Sequence, residues 1–224
     1  MTSHTMKEDK ATTDKPVLHY LIKEPKVKAS KNKAIILLHG VGSNEQDLFG
    51  LAELLPEDCY IISARGQFTL AEGRYAWYNV DFSSGKPVYN AQQELSSRKV
   101  IGEFIDQVKS KYNLEEVYVG GFSQGAIMGY TVGLLNPKDV QGVIALSGRL
   151  LEEIKPVVTK NEDLQKLKIF IAHGIQDNTL PIGYARTAKS YLEGLQVQVS
   201  YHEYEMGHQI SPAVITDLNS WLAE

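Results

Sequence analysis

The chain of 224 residues has a single cysteine, Cys59, so no internal disulfide can form and no thiolate cluster can hold a metal. Cys59 sits in the apolar run CYIISA, where a thiol packs as a small core residue, and this usage fits a reducing, cytoplasmic compartment. Positive charge is not in excess: 23 Lys and Arg face 27 Asp and Glu, a net charge of −4. Without a broad basic field to hold a phosphate backbone, nucleic acid is not expected as a partner. No apolar run approaches the roughly 20 residues that cross a bilayer, so no stable membrane insertion is expected. The histidines are scattered, with no H-x-x-x-H pair and no CxxC, and neither a metal nor a cofactor is implied. GVG at 40–42 is only part of a dinucleotide fingerprint, because Glu45 stands where the third glycine belongs. Repeats, low-complexity tracts and linkers are also missing.

What remains is the pattern of one α/β domain. The apolar runs AIILLHG (34–40), YIISARG (60–66), VYVGGFS (117–123), VQGVIALSG (140–148) and KIFIAHG (168–174) each end in glycine or a small polar residue, as buried parallel strands do. Helix-length stretches lie between or after them at 90–112, 124–135, 183–195 and 212–224. In the first of these Val100, Ile101, Phe104, Ile105 and Val108 make one apolar face. The alternation predicts a mostly parallel central sheet with helices on both faces and right-handed crossovers. VLHYLIK (17–23) and VQVSYHEYE (197–205) alternate better and read as edge strands, the first of them antiparallel. The polar stretch 1–15, MTSHTMKEDKATTDK, has no apolar leader core and reads as a flexible tail before a single domain over 16–224. Residues 67–89 read as a long loop, neither strand nor helix, carrying Phe68, Tyr75, Trp77, Tyr78 and Phe82.

Chemistry enters at GFSQG (121–125), a G-x-S-x-G that follows a predicted strand and opens a predicted helix. That context is a nucleophile elbow, which projects the serine hydroxyl from the top of the sheet. A neutral serine is a poor nucleophile, so a histidine must take its proton and an acid must hold that histidine's tautomer. In α/β-hydrolases the chain order is Ser, then Asp or Glu, then His. Of the histidines after Ser123, His208 lies in the glycine-flanked loop EMGHQI and is the expected base. His202 reads as a strand side chain and His173 as a group bonding its own loop. Asp177, just beyond the C-terminal end of KIFIAHG, is the expected acid, at the sheet edge where open α/β folds assemble their sites. Asp139 and Asp163 precede strands and belong to the other edge. The N–H of Gln124 at the helix start and that of Val41 in HGVGSNEQDL are the expected oxyanion donors. Trp77, Tyr75, Tyr78 and Phe68 are the expected apolar lining of a substrate pocket.

With LLHGVGSNEQDL, RGQFTLAEGRYAWYNVD, GGFSQGAIMGY, ALSGRL, AHGIQDNTLPI and EMGHQI in this order, the chain from about residue 33 to its end resembles the phospholipase/carboxylesterase family of small α/β-hydrolases. Acyl-protein thioesterases are its best-known members, and GRYAWYNVDF looks more like the bacterial esterase branch. The resemblance implies Ser123, Asp177 and His208 as catalytic residues and Val41 and Gln124 as oxyanion donors. It implies a carboxylesterase acting on a small ester, with thioesters and lysophospholipids as alternative substrates; the sequence leaves the oligomeric state open, monomer or homodimer. The reading from another class is a non-catalytic binding protein of the same fold.

Overall fold

The computed structural model describes residues 15–81, 83 and 88–224. The expected tail, apart from Lys15, and Phe82 lie outside the described residues. The chain runs β1 (Tyr20–Lys23), β2 (Lys33–Leu38), α1 (Glu45–Phe49), β3 (Cys59–Ala64), β4 (Phe68–Ala71), β5 (Arg74–Ala76), β6 (Val80–Asp81), β7 (Val88–Tyr89) and α2 (Ala91–Tyr112). It continues with β8 (Glu116–Phe122), α3 (Gln124–Leu135), β9 (Gly142–Leu146), α4 (Glu162–Lys166), β10 (Lys168–Gly174), α5 (Gly183–Gly194), β11 (Gln198–Tyr204) and α6 (Pro212–Leu222).

Seven strands form one sheet in the order β1-β3-β2-β8-β9-β10-β11. All neighbours are parallel except β1 and β3, which pair antiparallel. The two less apolar strands take the two edges, as their alternation requires, because an edge strand keeps polar side chains wet. Side chains of β2 alternate across the sheet. Ala34, Ile36 and Leu38 join the core under α2, α3 and α5, while Ile35 and Leu37 join the core under α1 and α6. α3 is buried from Gln124 to Leu134, which explains why it is apolar all round and not amphipathic.

Residues 67–89 depart from the expected loop. β4 and β5 form one hairpin and β6 and β7 another, joined through Trp77 and Tyr78. The first hairpin closes over Glu72 and Gly73, the glycine supplying a φ of 69°. Its strands are too short to show a period, and they pair with each other and not with the main sheet.

The elbow is shaped by backbone contact. A Cβ at Gly121 or Gly125 would run into the Leu38 carbonyl of the neighbouring strand, so both glycines of the motif are places where side chains do not fit. Between them Ser123 takes φ 56° and ψ −117°, a conformation that costs a non-glycine residue about 1–3 kcal/mol. Gly125→Ala is therefore expected to lower stability by about 3 kcal/mol or more, since the obstructing atom is central backbone that cannot yield. Gly102→Ala, in the middle of α2 with nothing within 4 Å of its added Cβ, is expected to raise it by about 0.5–1 kcal/mol. Urea denaturation of both variants checks the pair, and equal midpoints would show that the elbow is not tightly packed.

Candidate active site

The C-terminal edge of the sheet carries every site segment: Gly40 and Val41 after β2, Ser123 after β8, Asp177 after β10 and His208 after β11. The strand order sets β8 between β2 and β9, so Ser123 stands near the middle of that edge.

Ser123, His208 and Asp177 come together in one line of hydrogen bonds. His208 Nε2 is 2.9 Å from Ser123 Oγ, and His208 Nδ1 is 2.7 Å from Asp177 Oδ2. A carboxylate only accepts, so Nδ1 carries the proton, and Nε2 is left with a lone pair that accepts from the serine hydroxyl. The Asp177 side chain has no exposed surface. Its Oδ1 accepts the backbone amides of Thr179 at 2.9 Å and Leu180 at 2.8 Å, leaving Oδ2 aimed at the imidazole. The ring of Phe122 lies 4.7 Å from that of His208, centroid to centroid, and limits its tilt.

The loops bearing the acid and the base are stitched together by Ile175 N–H to the Tyr204 carbonyl and Gln176 N–H to the Met206 carbonyl. His173 is fully buried and donates from Nε2 to the Leu180 carbonyl at 2.7 Å, closing the turn around Asp177. His202 is a side chain of the edge strand β11, held to Ser200 Oγ at 2.9 Å. Asp139 and Asp163 lie before β9 and β10, at the far edge of the sheet.

On the other side of Ser123, the loop after β2 passes close by: a Cβ at Gly40 would be 3.5 Å from that of Ser123. Gly42 N–H donates to the Tyr75 carbonyl and Ser43 N–H to the Gly40 carbonyl. Among the described residues, neither the Val41 nor the Gln124 amide has an acceptor. Both are thus open to an anion, and Gln124 adds the positive end of α3.

The side chains that hold this loop were not visible in the sequence pattern. His39 is wholly buried, donates from Nδ1 to the Gly40 carbonyl at 2.7 Å and accepts the Gly66 amide on Nε2 at 2.9 Å. Gln124 accepts the Trp77 amide at 2.8 Å and donates to the Tyr78 carbonyl at 2.7 Å, fastening the hairpin region to the elbow. Glu45 and Arg65 form a bidentate pair beneath the same loop, and the Arg65 guanidinium lies 4.6 Å from the Tyr75 ring.

Trp77 and Tyr78, expected to line a substrate pocket, are covered instead. Trp77 has 0% exposure, and its indole N–H donates to the His39 carbonyl at 3.0 Å. The bulk of the ring and that hydrogen bond close it over the His39 turn, so it braces the loop after β2. Tyr78 is nearly as buried, whereas Phe68 and Tyr75 keep part of their surface.

Burial pushes the His39 imidazole below its ordinary pKa, against a smaller opposing pull from its bond to Gly40. Folded His39 therefore resists protonation while an unfolded one takes a proton below about pH 6.5, so its share of stability is present above that pH and lost as pH falls. The melting temperature is expected to drop between pH 7 and 5, with a flatter slope in His39→Gln. Equal slopes would remove His39 as the cause.

A mostly parallel sheet, a serine on a strained strand-to-helix elbow and a Ser–His–Asp relay at the sheet's C-terminal edge define an α/β-hydrolase of the serine type. The family model for Phospholipase/Carboxylesterase matches residues 19–224, and the chain belongs to that family. Acyl-protein thioesterase 1 of Kluyveromyces lactis is 29% identical over 217 residues, covering 89% of this chain and 94% of that one. Among solved structures, esterase PE8 superposes with a TM-score of 0.79 at 22% identity, over 92% of this chain and 98% of that one. The Bacillus cereus carboxylesterase gives 0.78 at 21% identity, over 92% and 93%. Among the described residues no helix is long and apolar enough to cross a membrane.

Proposed function

We propose that this hydrolase cleaves small carboxylic esters through an acyl-serine intermediate, with Ser123 as nucleophile, His208 as base and acid, and Asp177 as the group that orients and supports His208. The observation that carries the proposal is the continuous relay from Ser123 Oγ through His208 to Asp177, in the tautomer that lets the serine proton leave.

Ser123 Oγ adds to the ester carbonyl carbon as its proton passes to His208 Nε2. The carbonyl oxygen becomes an oxyanion held by the Val41 and Gln124 amides. Collapse breaks the bond to the leaving oxygen, which takes the proton from Nε2. Water then adds to the acyl carbon by the same route, releasing the acid and restoring Ser123. Tyr75, partly exposed and paired with Ser43 beside the Val41 amide, and Phe68, partly exposed on the same hairpin, are the aromatic contacts proposed for the acyl or alcohol group.

A thiolate or a lysophospholipid alcohol can leave by the same steps, and the likeness to acyl-protein thioesterase 1 supports the thioester as a second reading. A cytoplasmic location is proposed with it, supported by the single cysteine, Cys59, which stays a free thiol. The test is a fluorophosphonate adduct mapped by mass spectrometry, followed by kinetics on matched acyl esters, acyl thioesters and lysolipids of graded length. A single adduct on Ser123 with turnover of short esters is expected. No adduct on folded protein would favour the binding-protein reading.

A further inference from the structure

ALSGRL, at the C-terminal end of β9, contributes nothing to the relay, yet it brings an arginine to the same sheet edge. Ser123 N–H donates to the Leu146 carbonyl at 2.9 Å, so β9 ends directly beside the elbow. Arg149 follows Leu146 by three residues, which span at most about 10 Å of chain.

Two further contacts fix where it lies. A Cβ on the preceding Gly148 would stand 2.6 Å from that of Ala126, in the first turn of α3, so the segment runs over the start of the elbow helix. The Arg149 guanidinium carbon is 5.8 Å from the centroid of the Tyr184 ring, at the start of α5 just after the Asp177 turn. It is also close enough to Tyr78 to offset part of the upward push that burial gives that hydroxyl, and the Tyr78 carbonyl is held by Gln124. Arg149 is thus bracketed by the segments that carry Asp177 on one side and Gln124 on the other.

Among the described residues it has no ion-pair contact there. Arg65, Arg98 and Arg186 pair with Glu45, Glu94 and Glu203, and Arg74 donates to the Gly42 carbonyl. Among the described residues Arg149 has neither an ion pair nor a hydrogen bond, although it is half-buried. Of the nearby carboxylates, Glu94 pairs with Arg98 through Oε2 while its Oε1 is buried without a hydrogen-bond partner, and among the described residues neither Glu94 nor Glu153 lies within ion-pair distance of Arg149. A half-buried guanidinium without a partner offers planar, bidentate donors suited to a carboxylate or phosphate. In a chain of net charge −4, a cation at the sheet edge that carries the nucleophile also offsets the repulsion an anionic substrate meets.

We infer that Arg149 is a specificity-determining residue, binding a negatively charged group, carboxylate or phosphate, on the ester substrate of Ser123. The inference rests on the hydrolase reading above. The bonds broken and formed remain those of ester hydrolysis, and Arg149 takes no proton.

The test compares three p-nitrophenyl esters of similar length: neutral butyrate, the glutarate half-ester with its free carboxylate, and an acyl ester ending in a phosphate monoester. Wild type is expected to favour one or both anionic esters in kcat/KM, and the favoured arm identifies the anion. Arg149→Gln is expected to lower the anionic-to-neutral ratio by roughly 10- to 100-fold, the scale of a lost charge-assisted contact. Arg149→Lys should fall between them. In wild type, raising the salt should shrink the ratio. A ratio near one in wild type, or unchanged by both substitutions, would overturn the inference while leaving the hydrolase reading intact. Failure of wild type to cleave any of the three would overturn both.

Discussion

Ser123→Ala is expected to reduce kcat/KM on a short acyl ester by at least about 10⁴-fold while the protein stays folded. The serine hydroxyl is the only atom lost, and it makes one hydrogen bond, to His208 Nε2. Residual turnover comes from water positioned by the oxyanion amides, so it should not vanish entirely. The backbone adds a check that activity alone does not provide. Ser123 holds φ 56° because the elbow forces it there, and alanine inherits the same strain. Glycine does not, so Ser123→Gly is expected to be as inactive as Ser123→Ala but more stable by about 1 kcal/mol. An inactive variant that gains stability separates a residue strained for chemistry from one that supports the fold. Retention of more than a tenth of wild-type turnover in either variant would show that another group attacks the ester.

The fold was legible where local pattern and tertiary role agree. The apolar runs fell on β2, β3, β8, β9 and β10 to within two or so residues at most ends, and the long helices α2 and α3 were bounded closely, because buried parallel strands and their crossovers have no competing pattern. The short helices α1 and α4 were not anticipated, although Asn44 and Asn161 cap them with acids in the first turn. Five residues carry too little periodicity to outweigh a loop reading. The two hairpins in 67–89 were hidden for the same reason.

In the site, the residues brought together were those whose positions follow from topology: a turn after a strand at the C-terminal edge. What the pattern did not give was the second layer. His39 and the Gln124 side chain act through burial and backbone contacts set only when distant segments meet, and neither has a spacing that announces it, whereas His173 bonds its own loop as its position at the end of KIFIAHG suggests. Trp77 shows the limit from the other direction. An aromatic in a long polar segment suggests a substrate wall, yet its N–H finds the His39 carbonyl and the ring closes the turn. Composition of a loop says that something apolar must be covered; only packing says whether a ligand or the protein covers it.

Asp177→Asn is expected to lower kcat by about 10³- to 10⁴-fold, nearly as much as loss of the nucleophile, with little change in shape. The groups that face the carboxylate are donors: the amides of Thr179 and Leu180 on Oδ1, and His208 Nδ1–H on Oδ2, with His173 Nε2–H, which donates to the Leu180 carbonyl, 3.4 Å from the same Oδ2. An asparagine must turn its NH₂ toward one of these sets. Facing the two backbone amides it would oppose fixed donors that cannot rotate, at a cost of about 1–3 kcal/mol for the buried groups left unsatisfied. Facing His208 it meets a ring that can respond, by moving the proton from Nδ1 to Nε2. The second arrangement relieves the conflict and disarms the site, since Nε2–H then points at Ser123 and no lone pair is left to take its proton. The imidazolium formed during attack would also lose its counter-charge. Binding is not touched, so KM should stay within about threefold while kcat falls. A fluorophosphonate should label the variant far more slowly than wild type but still at Ser123. An Asp177→Asn enzyme within tenfold of wild type in kcat would mean that His208 is oriented by something other than this carboxylate.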